Sequence, residues 1–192
     1  MTRHGEKICG IGISDFIVQM EEFHGYRSPG LLLGGIMIDK VLNDLGQTPY
    51  LNIVTETVVC LPDAVQMLTP CTIGNGFLQV LDWGKFALTG YDRKSLVGVR
   101  AWIKQEALQE YPHIHGWFER SKRAGGKPRF EEVAGEIIER GSTIVGTKGV
   151  RLKRALKEAE RIPTGLCSSC GESYALRLGS VCPACGGHGY YD

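Results

Sequence analysis

The chain has 192 residues, enough for one good hydrophobic core and a small satellite that would need its own stabilisation. Its 22 lysines and arginines nearly balance 21 aspartates and glutamates, which excludes overall charge as a reason to expect nucleic acid or an anionic membrane as a partner. Seven cysteines are an odd number and four of them sit in two close pairs near the C-terminus, a pattern that favours thiolate metal ligation over a disulfide framework. The apolar run Ile8–Ile13 is short, broken by Gly10 and Gly12, and lacks a small-residue cleavage pattern, so it does not read as a secretory signal. No other run approaches the ~18 apolar residues of a membrane span, and the expected location is the cytoplasm.

Residues 1–13 carry no usable structural signal. Ser14 then reads as the cap of a helix whose apolar positions Phe16, Ile17, Met20 and Phe23 repeat at helical spacing, and this helix delivers His24. The loop Phe23–Gly30 feeds a second helix with Ser28 as N-cap, Pro29 at the first helical position and Gly46 as stop. That helix is apolar around much of its circumference (Leu31, Leu32, Leu33, Ile36, Met37, Val41, Leu42, Leu45), so it should be central, with Gly34 and Gly35 permitting close approach of a neighbour.

From Tyr50 to Cys60 the wealth of Val, Ile and Thr predicts a strand, followed by Pro62 and Asp63 in the first turn of a short helix over Ala64–Leu68. Runs Phe77–Leu81, Lys85–Tyr91 and Val97–Ile103, bounded by turn residues, predict an antiparallel meander. Helical patterns follow over Lys104–Tyr111, Ile114–Arg123 and Phe130–Arg140, the last ended by Gly141, and a basic helix is expected over Arg151–Arg161. The fold class is α+β, a mixed or antiparallel sheet with packed helices over residues 1–162, joined through Pro163-Thr164-Gly165 to a module of residues 163–192.

That module carries Cys167-Ser168-Ser169-Cys170-Gly171 and Cys182-Pro183-Ala184-Cys185-Gly186, two CxxC knuckles separated by eleven residues. Each knuckle places two sulfurs on one cation and four thiolates close a tetrahedral shell, so the spacing predicts a structural zinc finger of ribbon or treble-clef type. An iron site of the rubredoxin kind, a redox CxxC and paired disulfides are the rival chemistries. His188 would add a fifth donor to a full shell and reads as a tail residue. No base-reading helix follows the second knuckle, so docking on protein is expected rather than nucleic-acid binding. His113 and His115 cannot face the same way on a helix, which argues against a metal pair there. Gly74-Asn75-Gly76 is too short for a phosphate loop, and Gly146-Thr147-Lys148-Gly149 lacks the remaining positions of one.

By spacing alone His24, Cys60 and Cys71 would not be called a site, because buried structural cysteines are common. Four motifs change that reading: Phe23-His24-Gly25-Tyr26-Arg27-Ser28-Pro29-Gly30, Thr57–Gln66 with Cys60-Leu61-Pro62-Asp63 at its centre, Pro70-Cys71-Thr72-Ile73-Gly74-Asn75-Gly76, and Asp82-Trp83-Gly84-Lys85-Phe86-Ala87. Together, and in this order, they resemble the FmdE family of formylmethanofuran dehydrogenase components, with the similarity fading after about Ile103. The resemblance implies a cleft lined by His24, Cys60 and Cys71, with Ser28 standing where the family has a further cysteine. One imidazole and two thiolates leave a fourth position open, so a second zinc or another transition metal is expected there, with His24, Cys60 and Cys71 as catalytic candidates. Ser28, Asp63 and Lys85 are the candidates for cofactor contacts, Asp63 also as a carboxylate orienting a ligand.

The family further implies a homodimer, a larger oxidoreductase complex as partner, and a link to one-carbon and CO₂ redox metabolism of the kind found in methanogenesis. The expected function is a metal-binding protein whose core cleft takes a small cofactor or substrate. The alternative is a non-catalytic adaptor that docks through its zinc finger.

Overall fold

The computed structural model describes residues 7–119, 128–156 and 162–191. The chain divides into two compact units, Met1–Leu156 and Lys157–Asp192. Residues 120–123 of the helix expected over Ile114–Arg123, and residues 157–161 of the expected basic helix, lie outside the described residues.

The first unit opens with a two-stranded ribbon, β1 (Lys7–Ile8) and β2 (Ile11–Gly12), in a stretch without a usable sequence signal. Cys9 and Gly10 turn the chain with φ of 49° and 82°, the paired positive values of the tight hairpin turn that suits strand twist. Helix α1 (Ile13–His24) therefore begins one residue before Ser14, with Gly12 at the N-cap position, and ends at Gly25 in the left-handed conformation. Helix α2 (Pro29–Leu45) is the central helix that its composition predicts. A Cβ on Gly34 would lie 2.9 Å from Ala64, and one on Gly35 would lie 2.7 Å from Phe16, so the two glycines let different neighbours seat on α2.

Strand β3 (Leu51–Thr55) stops five residues short of Cys60, because residues 56–59 leave the sheet to reach the start of α3 (Leu61–Leu68). Strand β4 (Leu78–Val80) pairs with β3 in parallel, whereas β5 (Ala87–Asp92) and β6 (Val97–Ile103) run antiparallel as expected. The meander is thus part of a mixed five-stranded sheet of order β4-β3-β5-β6-β7, the last strand being Val145–Arg151.

Helix α4 (Pro112–Glu119) follows a 3₁₀ turn over Gln105–Glu110, where the sequence pattern suggests a regular helix. Helix α5 (Phe130–Ile144) runs past Gly141, and β7 (Val145–Arg151) completes the sheet beside β6. A Cβ on Gly141 would come within 2.5 Å of Ile36, so this glycine is a contact point for α2 and not a helix stop. The pairing of β7 also corrects the expected basic helix: Arg151 ends a strand, and the described residues after it, 152–156, are not helical. α2 packs against α3, α5 and strands β5, β6 and β7, which places the core between the helices and one face of the sheet.

In the second unit β8 (Thr164–Leu166) and β9 (Ser173–Ala175) form an antiparallel hairpin. No helix among the described residues is long and apolar enough to cross a membrane.

Candidate functional site

The C-terminal cysteines converge as their spacing predicts. The Sγ atoms of Cys167, Cys170, Cys182 and Cys185 all lie within 4.8 Å of one another, and those of Cys170 and Cys182 are 3.8 Å apart. Four sulfurs on a zinc ion at the usual bond length would be separated by ~3.8 Å, so the donor set fits the ion in number, chemistry and spacing. Gly171 N–H donates to the Cys167 carbonyl and Gly186 N–H to the Cys182 carbonyl, closing both knuckles, and Gly171 has φ of 78°. Hydrogen bonds from the backbone N–H of Cys170, then of Cys182 and Ser169, bring the Cys167 thiol from 9.0 down to about 6, which favours the ligating thiolate.

The core arrangement is assembled from three helix ends. His24 closes α1, Ser28 precedes α2, and Cys60 occupies the N-cap position of α3 with Asp63 in that helix's first turn. His24 Nδ1 lies 2.6 Å from Asp63 Oδ2. A carboxylate only accepts, so Nδ1 carries the proton, and in the neutral ring Nε2 presents its lone pair. Nε2 is buried and has no hydrogen-bond partner.

Ser28 holds the extended conformation of an N-cap, yet its hydroxyl makes no cap bond to α2. It lies instead 3.4 Å from Cys60 Sγ, while its N–H donates to Met20 Sδ. Cys60 has φ of 58° and is 9% exposed. Gly30 makes room for this sulfur: a Cβ at that position would meet Cys60 Sγ at 2.8 Å and the Trp117 ring at 3.1 Å. Beside them is a cavity of about 350 Å³ with Val58, Val59, Phe86, Trp117 and Phe118 on its walls and Asp82 as its carboxylate. The three rings meet edge to face, with centroids 4.7 to 6.2 Å apart.

Cys71 is fully buried, and its Sγ donates to the Leu51 carbonyl at the start of β3. Burial pushes its thiol above the usual range. Among the described residues, the C-terminal quartet is the one group of three or more candidate donors with ligand atoms within 4.8 Å of one another, so His24, Cys60 and Cys71 do not converge as a set. Lys85 is exposed with its ammonium 5.7 Å from the Trp83 ring. Arg27 donates to Glu21 on the surface.

Sequence reasoning missed the aromatic wall and the spacer role of Gly30. The Trp117-Phe118 pair on a short helix was the available signal for the first; nothing local signalled the second, because the contact joins residues 30 apart in the chain.

A family model described as FmdE, molybdenum formylmethanofuran dehydrogenase operon, matches residues 23–152, and one described as FmdE treble clef zinc finger matches residues 158–192. Among solved structures, a tungsten formylmethanofuran dehydrogenase FmdE-like protein from Syntrophus aciditrophicus is similar over the full length of both chains, at 35% identity and a TM-score of 0.87. A probable S-adenosyl-L-methionine-binding protein of Archaeoglobus fulgidus is 35% identical over 107 residues, which are 52% of this chain. The match spans only 29% of that relative's length.

Proposed function

The chain belongs to the FmdE family, and on that premise we propose that its core is a metal-dependent ligand site, separate from the C-terminal cysteine cluster. His24 Nε2 and Cys60 Sγ hold the ion, and Asp63 fixes the imidazole from behind. The observation that carries this reading is the 2.6 Å His24–Asp63 hydrogen bond together with the buried, unpartnered Nε2. A carboxylate that fixes one ring nitrogen while the other is left with a free lone pair is the usual arrangement behind a metal-bound histidine.

With two protein donors the site keeps positions open, and a bound metal supplies Lewis acidity there. Ser28 contributes a hydroxyl beside Cys60 Sγ, where a cysteine would add a third protein donor. The aromatic cavity next to Cys60 receives the organic ligand. Cys71 joins the ligand set only if its sulfur leaves the Leu51 carbonyl, so in this reading it is a core residue. The family supports a place in one-carbon and CO₂ redox metabolism, in a homodimer and beside a larger oxidoreductase, in the cytoplasm.

The test is metal content per chain on protein purified without added metal, repeated on His24→Ala and Cys60→Ser. Two equivalents falling to one in either variant supports the core site. One equivalent throughout sinks it. The second reading, an adaptor that docks through its finger, is favoured by the apolar side chains that unit exposes, with Leu166 74% and Tyr190 95% accessible. It predicts one metal per chain and a stable complex that is lost when the finger is deleted.

A further inference from the structure

The basic residues that follow Lys148 end in a setting the sequence did not suggest. They flank a trough of about 460 Å³ on the sheet face opposite α2, a volume in the range of small-molecule sites. Its floor is a row across three strands, Val54 on β3, Thr89 on β5 and Arg100 on β6, aligned by the sheet register.

Arg100 is already neutralised, since its Nε and Nη2 each lie 2.6 Å from a carboxylate oxygen of Glu56. Glu56 is the sole carboxylate among the described residues lining the trough. Three further cations, Arg151, Lys153 and Arg154, stand on one side without an acidic counterpart among the described residues of the lining, Arg151 donating to the Ser95 carbonyl at 3.0 Å. The other wall is Leu81 and Trp83, with the indole 61% exposed. Its backbone is fixed: Trp83 N–H donates to the Glu56 carbonyl at 3.1 Å, and so does Lys85 N–H at 3.0 Å. Residues of this loop alternate, with Leu81 and Trp83 facing the trough while Asp82 and Gly84 line the cavity beside Cys60.

We propose that this trough is a second binding site, for a planar aromatic anion whose ring stacks on Trp83 and whose charged group is held by Lys153, Arg154 and Arg151. An exposed aromatic face beside several cations is the pairing that recognises such molecules, because stacking and charge each act on a different end of the ligand. The site shares no lining residue with the core cavity and does not depend on a metal there.

The probe is adenosine 5′-monophosphate, titrated calorimetrically into the full chain, with adenosine and inorganic phosphate as the two halves of the ligand. The expected result is saturable binding of the monophosphate, with each half at least about tenfold weaker. Trp83→Ala weakens it by about tenfold and Trp83→Tyr restores it, because tyrosine keeps a stacking face. The double variant Lys153→Ala/Arg154→Ala weakens it and flattens its salt dependence. His24→Ala leaves it unchanged. Affinity for the monophosphate no greater than for inorganic phosphate overturns the proposal, as does indifference to Trp83→Ala. Duplex DNA that competes in a salt-dependent way regardless of Trp83 also overturns it, by making the trough a general polyanion surface. If Trp83→Ala does not fold, the wild-type ligand series and Trp83→Tyr still decide.

Discussion

In the C-terminal unit four sulfurs lie within 4.8 Å of one another, whereas in the core the Ser28 hydroxyl meets the Cys60 thiol and the His24 imidazole meets Asp63, at the ends of three separate helices. The first set comes from two tight turns, each specified within five residues of chain, and needs little beyond the metal to form. The second set depends on α1, α2 and α3 packing correctly, because its members come from the ends of three different helices and only Cys60 and Asp63 share one. A closed shell has no vacant position and serves stability; an incomplete shell against an aromatic cavity can serve chemistry. On the reading proposed above, number of donors and dependence on tertiary packing separate the two regions.

Removing a finger ligand is expected to have the largest effect. Cys182→Ser should release the zinc and unfold residues after 162, since the metal supplies ~10 kcal/mol or more of the folding free energy of such modules. Limited proteolysis and zinc analysis check this, and an intact finger in the metal-free variant breaks the contrast. Gly30→Ala should disturb the core without touching the finger. The new methyl sits 2.8 Å from Cys60 Sγ, and overpacking of this kind costs about 1–3 kcal/mol in urea unfolding.

Asp63→Asn should weaken metal binding in the core by about 10–100-fold while finger zinc stays bound, as measured by chelator competition. Ser28→Cys should do the opposite, since its side chain already lies 3.4 Å from Cys60 Sγ and a thiolate there adds a donor. Core affinity should rise and the two regions become more alike, provided reductant is present.

Acid should separate the units by the smallest margin. Hydrogen bonds from Thr48, then from the Ser95 and Lys94 backbone, lower the Asp92 carboxyl from 3.8 to about 2. A carboxyl lowered on folding stabilises the fold fully above its unfolded value and loses that contribution as the pH falls toward 2. The finger gives up its metal earlier, when its thiolates protonate. Asp92→Asn should therefore flatten the acid unfolding curve of the first unit below about pH 4 and leave zinc release unmoved.

What could be read from the sequence follows the same division. The knuckles, the central helix and the α1 face were legible because their signals are local: spacing, a Ser-Pro start, apolar periodicity. The parallel β3–β4 pairing and strand β7 were not, since pairing partners lie far along the chain and Gly141 has the same appearance as a helix stop or as a contact for Ile36. At the site, the sequence offered Asp63 either as a carboxylate that orients a neighbour or as the cap of its own helix, and it lies 2.6 Å from His24 Nδ1. The sulfur of Cys71 was not legible as a donor to Leu51, because a motif fixes identity and order but not where a side chain points.

The left-handed backbone of Cys60 has a consequence for how this fold balances stability against use. A non-glycine residue at φ of 58° and ψ of −45° is strained by contacts of its own Cβ, at a cost of about 1–3 kcal/mol. Glycine would adopt the same turn freely. The protein therefore folds with a standing deficit at the start of α3, and what it retains in exchange is a sulfur at that helix's N-cap position, beside the Ser28 hydroxyl.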